Sequence, residues 1–294
     1  MLGLQGPLLL ACNHPNSFLD SIIINTLFQQ PVWSLARGDA FTTSLNNRLL
    51  GSFNMLPVYR TSEGVENLSE NYKTFAACVD IFRKDGVVQI FSEGKCINEW
   101  HLRPLKKGTA RLAIKTWEEN INLTVLPIGI NYSSFRYFGK NIFLNFGNLI
   151  TEKDGLLAEP DGIRHQLFNK QLYHEMQQLV FEIPSNNYNL QQQKLKIAIP
   201  TWKKIILFFP ALVGWLIHLP LFLPLNVITK KKAGNSDHYD SIFTSLLFIC
   251  YPLYALLVII LLIFFTESCW PLLLILLLPF TAWSYIQLKT QLDT

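Results

Sequence analysis

Asn13-His14-Pro15-Asn16-Ser17-Phe18-Leu19-Asp20 is the first stretch whose residue types and spacing point to chemistry. An imidazole that titrates near neutrality is the natural general base. A carboxylate on its other ring nitrogen fixes the tautomer and stabilises the imidazolium, as in serine-hydrolase triads. Read alone, the pair also has a plainer meaning. Asp20 suits a helix N-cap, and His14 suits a polar turn. The chain has no G-x-S-x-G elbow, so nucleophilic hydrolysis lacks its usual serine.

Three further segments carry polar or charged residues out of apolar runs. Met55-Leu56-Pro57-Val58-Tyr59 ends in Arg60, whose guanidinium fork suits a phosphate. Val87–Phe91 leads into Ser92-Glu93-Gly94-Lys95, and Arg103, Lys106 and Lys107 follow just before a helical pattern. Cations beside a helix N-terminus suit an anion. Each basic residue also reads as solvated surface. Val125-Leu126-Pro127-Ile128 places a proline in an otherwise central strand, which suggests a bend near a pocket.

These segments need elements to position them. The pattern predicts strands at Leu8–Cys12, Val32–Ala36, Leu56–Tyr59, Val87–Phe91, Thr124–Ile130 and Ile142–Phe146. Helical spacing predicts helices at Asp20–Gln29, Phe41–Phe53, Val65–Lys84, Lys107–Trp117 and Asp161–Phe181. Alternating strands and helices, with near-continuous apolar strands, imply an α/β fold with a largely parallel sheet sandwiched by helices. Ligands of such sheets bind outside the carboxyl ends of the strands. The segments above all fall there.

The chain is made of two materials. Residues 1–200 mix charge and apolar periods; residues 201–294 are mostly Leu, Ile, Phe and Pro, with charge only at the joints. Half of the 294 residues are apolar, 16% are charged and the net charge is +4. This excludes intrinsic disorder and gives no basic stripe for nucleic acid. Five scattered cysteines, Cys12, Cys78, Cys96, Cys250 and Cys269, form no disulfide framework or metal-type pair, so no metal site is expected. The apolar runs are 205–228, 242–265 and 271–286. Lys203 and Lys204 precede the first run, Lys230 to Lys232 follow it, and the joint at Glu267 has no lysine. The positive-inside rule then predicts a re-entrant or interfacial segment at 205–228 and a transmembrane hairpin at 242–265 and 271–286, with its turn outward; the alternative for 205–228 is a true span that breaks the rule once. Met1–Leu10 lacks the basic start of a cleavable signal peptide. A strand so close to Met1 fits a chain with further residues upstream.

Taken in order, the four segments resemble the glycerolipid acyltransferase superfamily, which makes lysophosphatidic and phosphatidic acid. The matching blocks are Asn13–Asp20, Pro57–Arg60, Phe91–Gly94 and Val125–Ile128. Five residues separate His14 from Asp20 where the common pattern has four, and Glu93-Gly94 continues into Lys95-Cys96 rather than Thr-Arg. Both departures are similar to a subgroup of glycerol-3-phosphate and dihydroxyacetone-phosphate acyltransferases. The resemblance implies a membrane-bound O-acyltransferase with His14 and Asp20 as its catalytic pair. Arg60, Glu93, Gly94, Lys95, Arg103, Lys106 and Lys107 would shape the acceptor site. The donor would be acyl-CoA or acyl-carrier protein, with no cofactor. The acceptor would be glycerol 3-phosphate or 1-acyl-glycerol 3-phosphate, at the cytoplasmic face of a bacterial inner membrane or its equivalent. Two alternatives stay open: a non-phosphate hydroxylated lipid acceptor, and an inactive lipid-binding protein. An esterase would need Ser17 or Ser92 as nucleophile.

Overall fold

A computed structural model describes residues 3–59, 70–152, 160–289 and 292. The chain divides into two compact units. One comprises Met1–Asn131 with Ile142–Asn186, and the other Tyr132–Asn141 with Asn187–Thr294.

The first unit is built on a six-stranded sheet in the order β3-β2-β4-β1-β5-β6. Its strands are β1 (Leu8–Cys12), β2 (Val32–Arg37), β3 (Met55–Val58), β4 (Val87–Phe91), β5 (Thr124–Tyr132) and β6 (Ile142–Phe146). β1 pairs in parallel with β4 and β5, and β2 pairs in parallel with β3 and β4. The β5–β6 connection is too short for a parallel crossover, which needs a dozen residues or more. β1 lies inside the sheet and is buried at every position, which explains its continuous apolar run. β5 passes through Pro127 unbroken, and the Pro127 carbonyl accepts from the Gly147 N–H.

The helices of this unit are α1 (Phe18–Asn25), α2 (Ser44–Ser52), α3 (Glu70–Phe82), α4 (Gly108–Glu118) and α5 (Asp161–Leu179). Leu112, Ile114 and Trp117 of α4 and Phe168, Leu172 and Met176 of α5 join the core with Leu9, Val88 and Val125 of the sheet. Each such side chain contributes about 1.5–3 kcal/mol by leaving water. α1 begins and ends earlier than the sequence pattern suggests. α2 is shorter than the predicted Phe41–Phe53, because the Thr43 side chain caps it by accepting from Asn46 N–H. Its apolar side exists, but Leu45 and Leu49 are exposed, as is Phe53 just beyond. The first part of the helix predicted from Val65 lies outside the described residues.

The second unit holds α6 (Tyr188–Leu195), α7 (Thr201–Ala233), α8 (Tyr239–Thr266) and α9 (Leu274–Leu288). α6 was not anticipated, because its run of three glutamines gives little apolar period. Three described helical segments are long and apolar enough to cross a membrane: Thr201–Ala233, Tyr239–Thr266 and Trp270–Leu288. α7 has 33 residues and runs unbroken through Pro210, Pro220 and Pro224. At 1.5 Å per residue that is about 50 Å, more than the roughly 30 Å hydrocarbon core. The predicted re-entrant segment at 205–228 therefore contains no chain break, and any reversal in it would have to be made by bending at the prolines. Glu267 turns the chain between α8 and the last segment with φ of +47°. The loop from Tyr132 to Asn141 is tied to the helix ends. Lys140 is ion-paired with Asp240, and Arg136 donates to the Gly234 carbonyl at 2.7 Å.

Candidate active site

The carboxyl end of β1 delivers Asn13 and His14 into a tight turn. Asn13 clamps that end to β5. Its amide donates to the Ile130 carbonyl at 3.0 Å and accepts from the Ile130 N–H at 2.7 Å. Ser17 takes φ of +52°, which lets the chain enter α1 at once. Asp20 is consequently the third helical residue and not the N-cap, a position taken by Ser17. A helical side chain leans toward the N-terminus of its helix, so the Asp20 carboxylate points back over the turn.

The two functional groups meet there. His14 Nδ1 lies 2.8 Å from Asp20 Oδ2, and the same oxygen accepts the Asn16 N–H at 2.9 Å. Asp20 is fully buried, whereas the His14 side chain is 14% exposed. A buried carboxylate against Nδ1 assigns the proton to Nδ1 and leaves Nε2 as the basic nitrogen. The ring stacks on Phe91 at 3.7 Å, which fixes its plane. The five-residue spacing thus spans one turn plus the first helical turn. The geometry is that of a general base with its positioning carboxylate.

Glu93 leaves the end of β4 and supports this turn. Its Oε2 accepts the His14 N–H and its Oε1 accepts the Arg103 N–H, each at 2.9 Å. Burial raises the Glu93 pKa, and the backbone bonds from Arg103 and His14 oppose the rise. Glu93 thus pins two loops to each other. Gly94 adopts φ of +69°, and an added Cβ would meet Lys106 Cγ at 3.0 Å. Gly94→Ala is expected to cost about 1–2 kcal/mol, since a left-handed L-residue carries roughly that penalty. Thermal melting should show a drop of several degrees; an unchanged midpoint would contradict the assigned backbone.

The basic residues separate in role. Arg103 is 23% exposed, donates from Nη1 to the Lys95 carbonyl at 3.2 Å and lies 3.5 Å from Glu99. Much of its guanidinium is committed to its own loop. Lys95, Lys106 and Lys107 are exposed, and the two latter stand at the start of α4. Arg60 lies outside the described residues. β3, which leads to it, ends on the same edge of the sheet as β1 and is held there by α3. Thr74 donates to the Pro57 carbonyl at 2.6 Å, and Asn71 bonds both the N–H and the carbonyl of Tyr59 at 2.8 Å. β3 sits three strands from β1, roughly 14 Å at the usual strand spacing. Ser92 is 1% exposed and its hydroxyl accepts from Thr109 at 3.0 Å, which removes it as a solvent-accessible nucleophile.

Residues 2–131 match the family model described as Acyltransferase. The match contains all four sequence segments and stops one residue before the end of β5. It agrees with the superfamily resemblance that those segments carry. Comparison with curated proteins finds no match. The roles of several parts of this site gave no sequence signal. The Asn13 clamp, the Phe91 stack and the Asn98 amide on the Pro15 carbonyl at 2.7 Å act on backbone or ring faces. Only the polar Asn13 at the end of an apolar strand was visible beforehand.

Proposed function

We propose that the protein is a membrane-bound O-acyltransferase that acylates a hydroxyl of glycerol 3-phosphate or 1-acyl-glycerol 3-phosphate. The observation that carries this reading is the 2.8 Å His14–Asp20 pair at the carboxyl end of β1, inside the region that matches the Acyltransferase model. In this reading residues 1–200 hold the chemistry and 201–294 anchor it. The donor is acyl-CoA or acyl-carrier protein, and no cofactor takes part. His14 Nε2 takes the acceptor hydroxyl proton as the oxygen attacks the thioester carbonyl. The C–S bond then breaks and the thiolate leaves, without an acyl-enzyme. Asp20 holds the tautomer and stabilises the imidazolium. Arg60, with Lys106 and Lys107 at the start of α4, binds the acceptor phosphate; Lys95 and Arg103 frame the same loops. The spacing of His14 and Asp20 favours the glycerol-3-phosphate-type subgroup. In this reading the catalytic face is cytoplasmic, which Lys203 and Lys204 before α7 support.

The deciding assay supplies membranes containing the protein with each donor and each acceptor. Product from glycerol 3-phosphate assigns the first acylation, and product from 1-acyl-glycerol 3-phosphate assigns the second. No product from either would overturn the phosphate acceptor. Arg60→Ala is expected to raise KM for a phosphate acceptor about tenfold or more, the scale of a lost charge-assisted bond. An unchanged KM would remove Arg60 from the phosphate site.

A further inference from the structure

A groove of about 420 Å³ opens in the second unit. Phe208, Ala211, Leu212 and Trp215 of α7 line one wall, and Tyr285, Leu288 and Lys289 line the other. Its volume lies in the range of small-molecule sites, which are mostly apolar with a few polar groups that fix orientation. Lys289 is the single charged residue of the lining. Its ammonium sits 5.7 Å from the Tyr137 ring and in the fields of Lys140 and Asp240. Asp240 is already ion-paired with Lys140, and both are buried. Arg136 of the same loop stacks over Tyr239 at 5.0 Å. With Lys140 and Asp240 paired, Lys289 leaves a net positive charge at this end of the groove. Burial and the charge of Lys140 push the Lys289 pKa down to about 8, with Asp240 pulling the other way.

We propose that this groove holds one acyl chain of an anionic phospholipid, with the lipid phosphate against Lys289. The walls belong to segments long and apolar enough to cross a bilayer, whose hydrocarbon would then be the medium around them. Tyr285, one turn before Lys289, is an amphipathic ring of the kind enriched near headgroups. The excess of cations at one end selects an anion there, and the apolar remainder selects a chain. This lipid is a bound companion of the helices and not a reactant of the His14 site, so the inference stands apart from the acyl-transfer reading.

The test uses the full chain in phosphatidylcholine vesicles with a photoactivatable phosphatidic acid carrying its reactive group on the acyl chain. Labelling is mapped to peptides by mass spectrometry. Label is expected on the segments around Phe208–Trp215 and Tyr285–Lys289, with unlabelled phosphatidylglycerol competing and phosphatidylcholine not competing. Lys289→Gln should lower the labelling about tenfold, the scale of a lost charge-assisted bond. Leu212→Trp, which fills the groove, should block it while the protein stays monodisperse. Equal labelling by a phosphatidylcholine probe, or labelling unaffected by Lys289→Gln, would overturn the site and leave only contact with bulk lipid. Labelling of His14→Ala protein should equal that of wild type. The lipid site can therefore survive a failure of the acyltransferase reading, and the reverse.

Discussion

His14→Ala is expected to lower acyl transfer by about 10²–10⁴-fold, the usual contribution of a positioned general base, while the protein stays folded. The fold should tolerate the change for a specific reason. The contact that binds this turn to β4 runs from the His14 backbone N–H to Glu93 Oε2, and alanine keeps that N–H. The side chain lies at the end of the sheet, part-exposed, with its ring on Phe91. Its loss removes one stacked face and one hydrogen bond to Asp20. Initial rates with both donors, beside a thermal melt of the purified protein, separate the two effects. Turnover equal to wild type in a folded variant would end the assignment of His14 as base. A variant that does not fold would be replaced by His14→Gln, which keeps the side-chain volume and lacks a proton acceptor of comparable basicity.

Part of the architecture was legible because β1 and β4 are buried along nearly their whole length, whereas β6 was read from its alternation and is half-buried or exposed throughout. Leu8–Cys12, Val87–Phe91 and Ile142–Phe146 have the same bounds in pattern and structure. Helix starts were less legible. The chain enters α1 at Phe18 because Ser17 accepts a positive φ, a conformation usually signalled by glycine. Of the site, His14 and Asp20 stood out by type and spacing, and the structure brings them together. Glu93 stood out too, but its work could not be read. Both carboxylate oxygens bind backbone N–H groups, from His14 and Arg103, and every residue but proline carries such a donor. Arg103 looked like a phosphate ligand by charge, yet its guanidinium engages Lys95 and Glu99 in its own loop. Composition records a charge and not what already neutralises it. The same limit holds for Lys140, whose buried partner Asp240 lies a hundred positions along the chain.

Asp20→Asn is expected to lower kcat by about 10²–10⁴-fold with little change in KM, as when the carboxylate of a catalytic histidine is neutralised. Asparagine can sit in two ways, and both fail. With its carbonyl oxygen in place of Oδ2, it still accepts from His14 Nδ1 and from the Asn16 N–H, but the charge that stabilises the imidazolium is gone. With its NH₂ turned inward, it meets the Asn16 donor head-on and forces Nδ1 to accept. The proton then moves to Nε2, the nitrogen that must take one from the acceptor. Asp20 acts only through His14, so the double variant His14→Ala with Asp20→Asn should be scarcely slower than His14→Ala alone. A merely structural Asp20 would instead add its own loss and depress the melting temperature of both proteins. Additive losses in kcat, or a KM rise without a kcat fall, would place Asp20 in the scaffold and leave His14 to act without a positioning carboxylate.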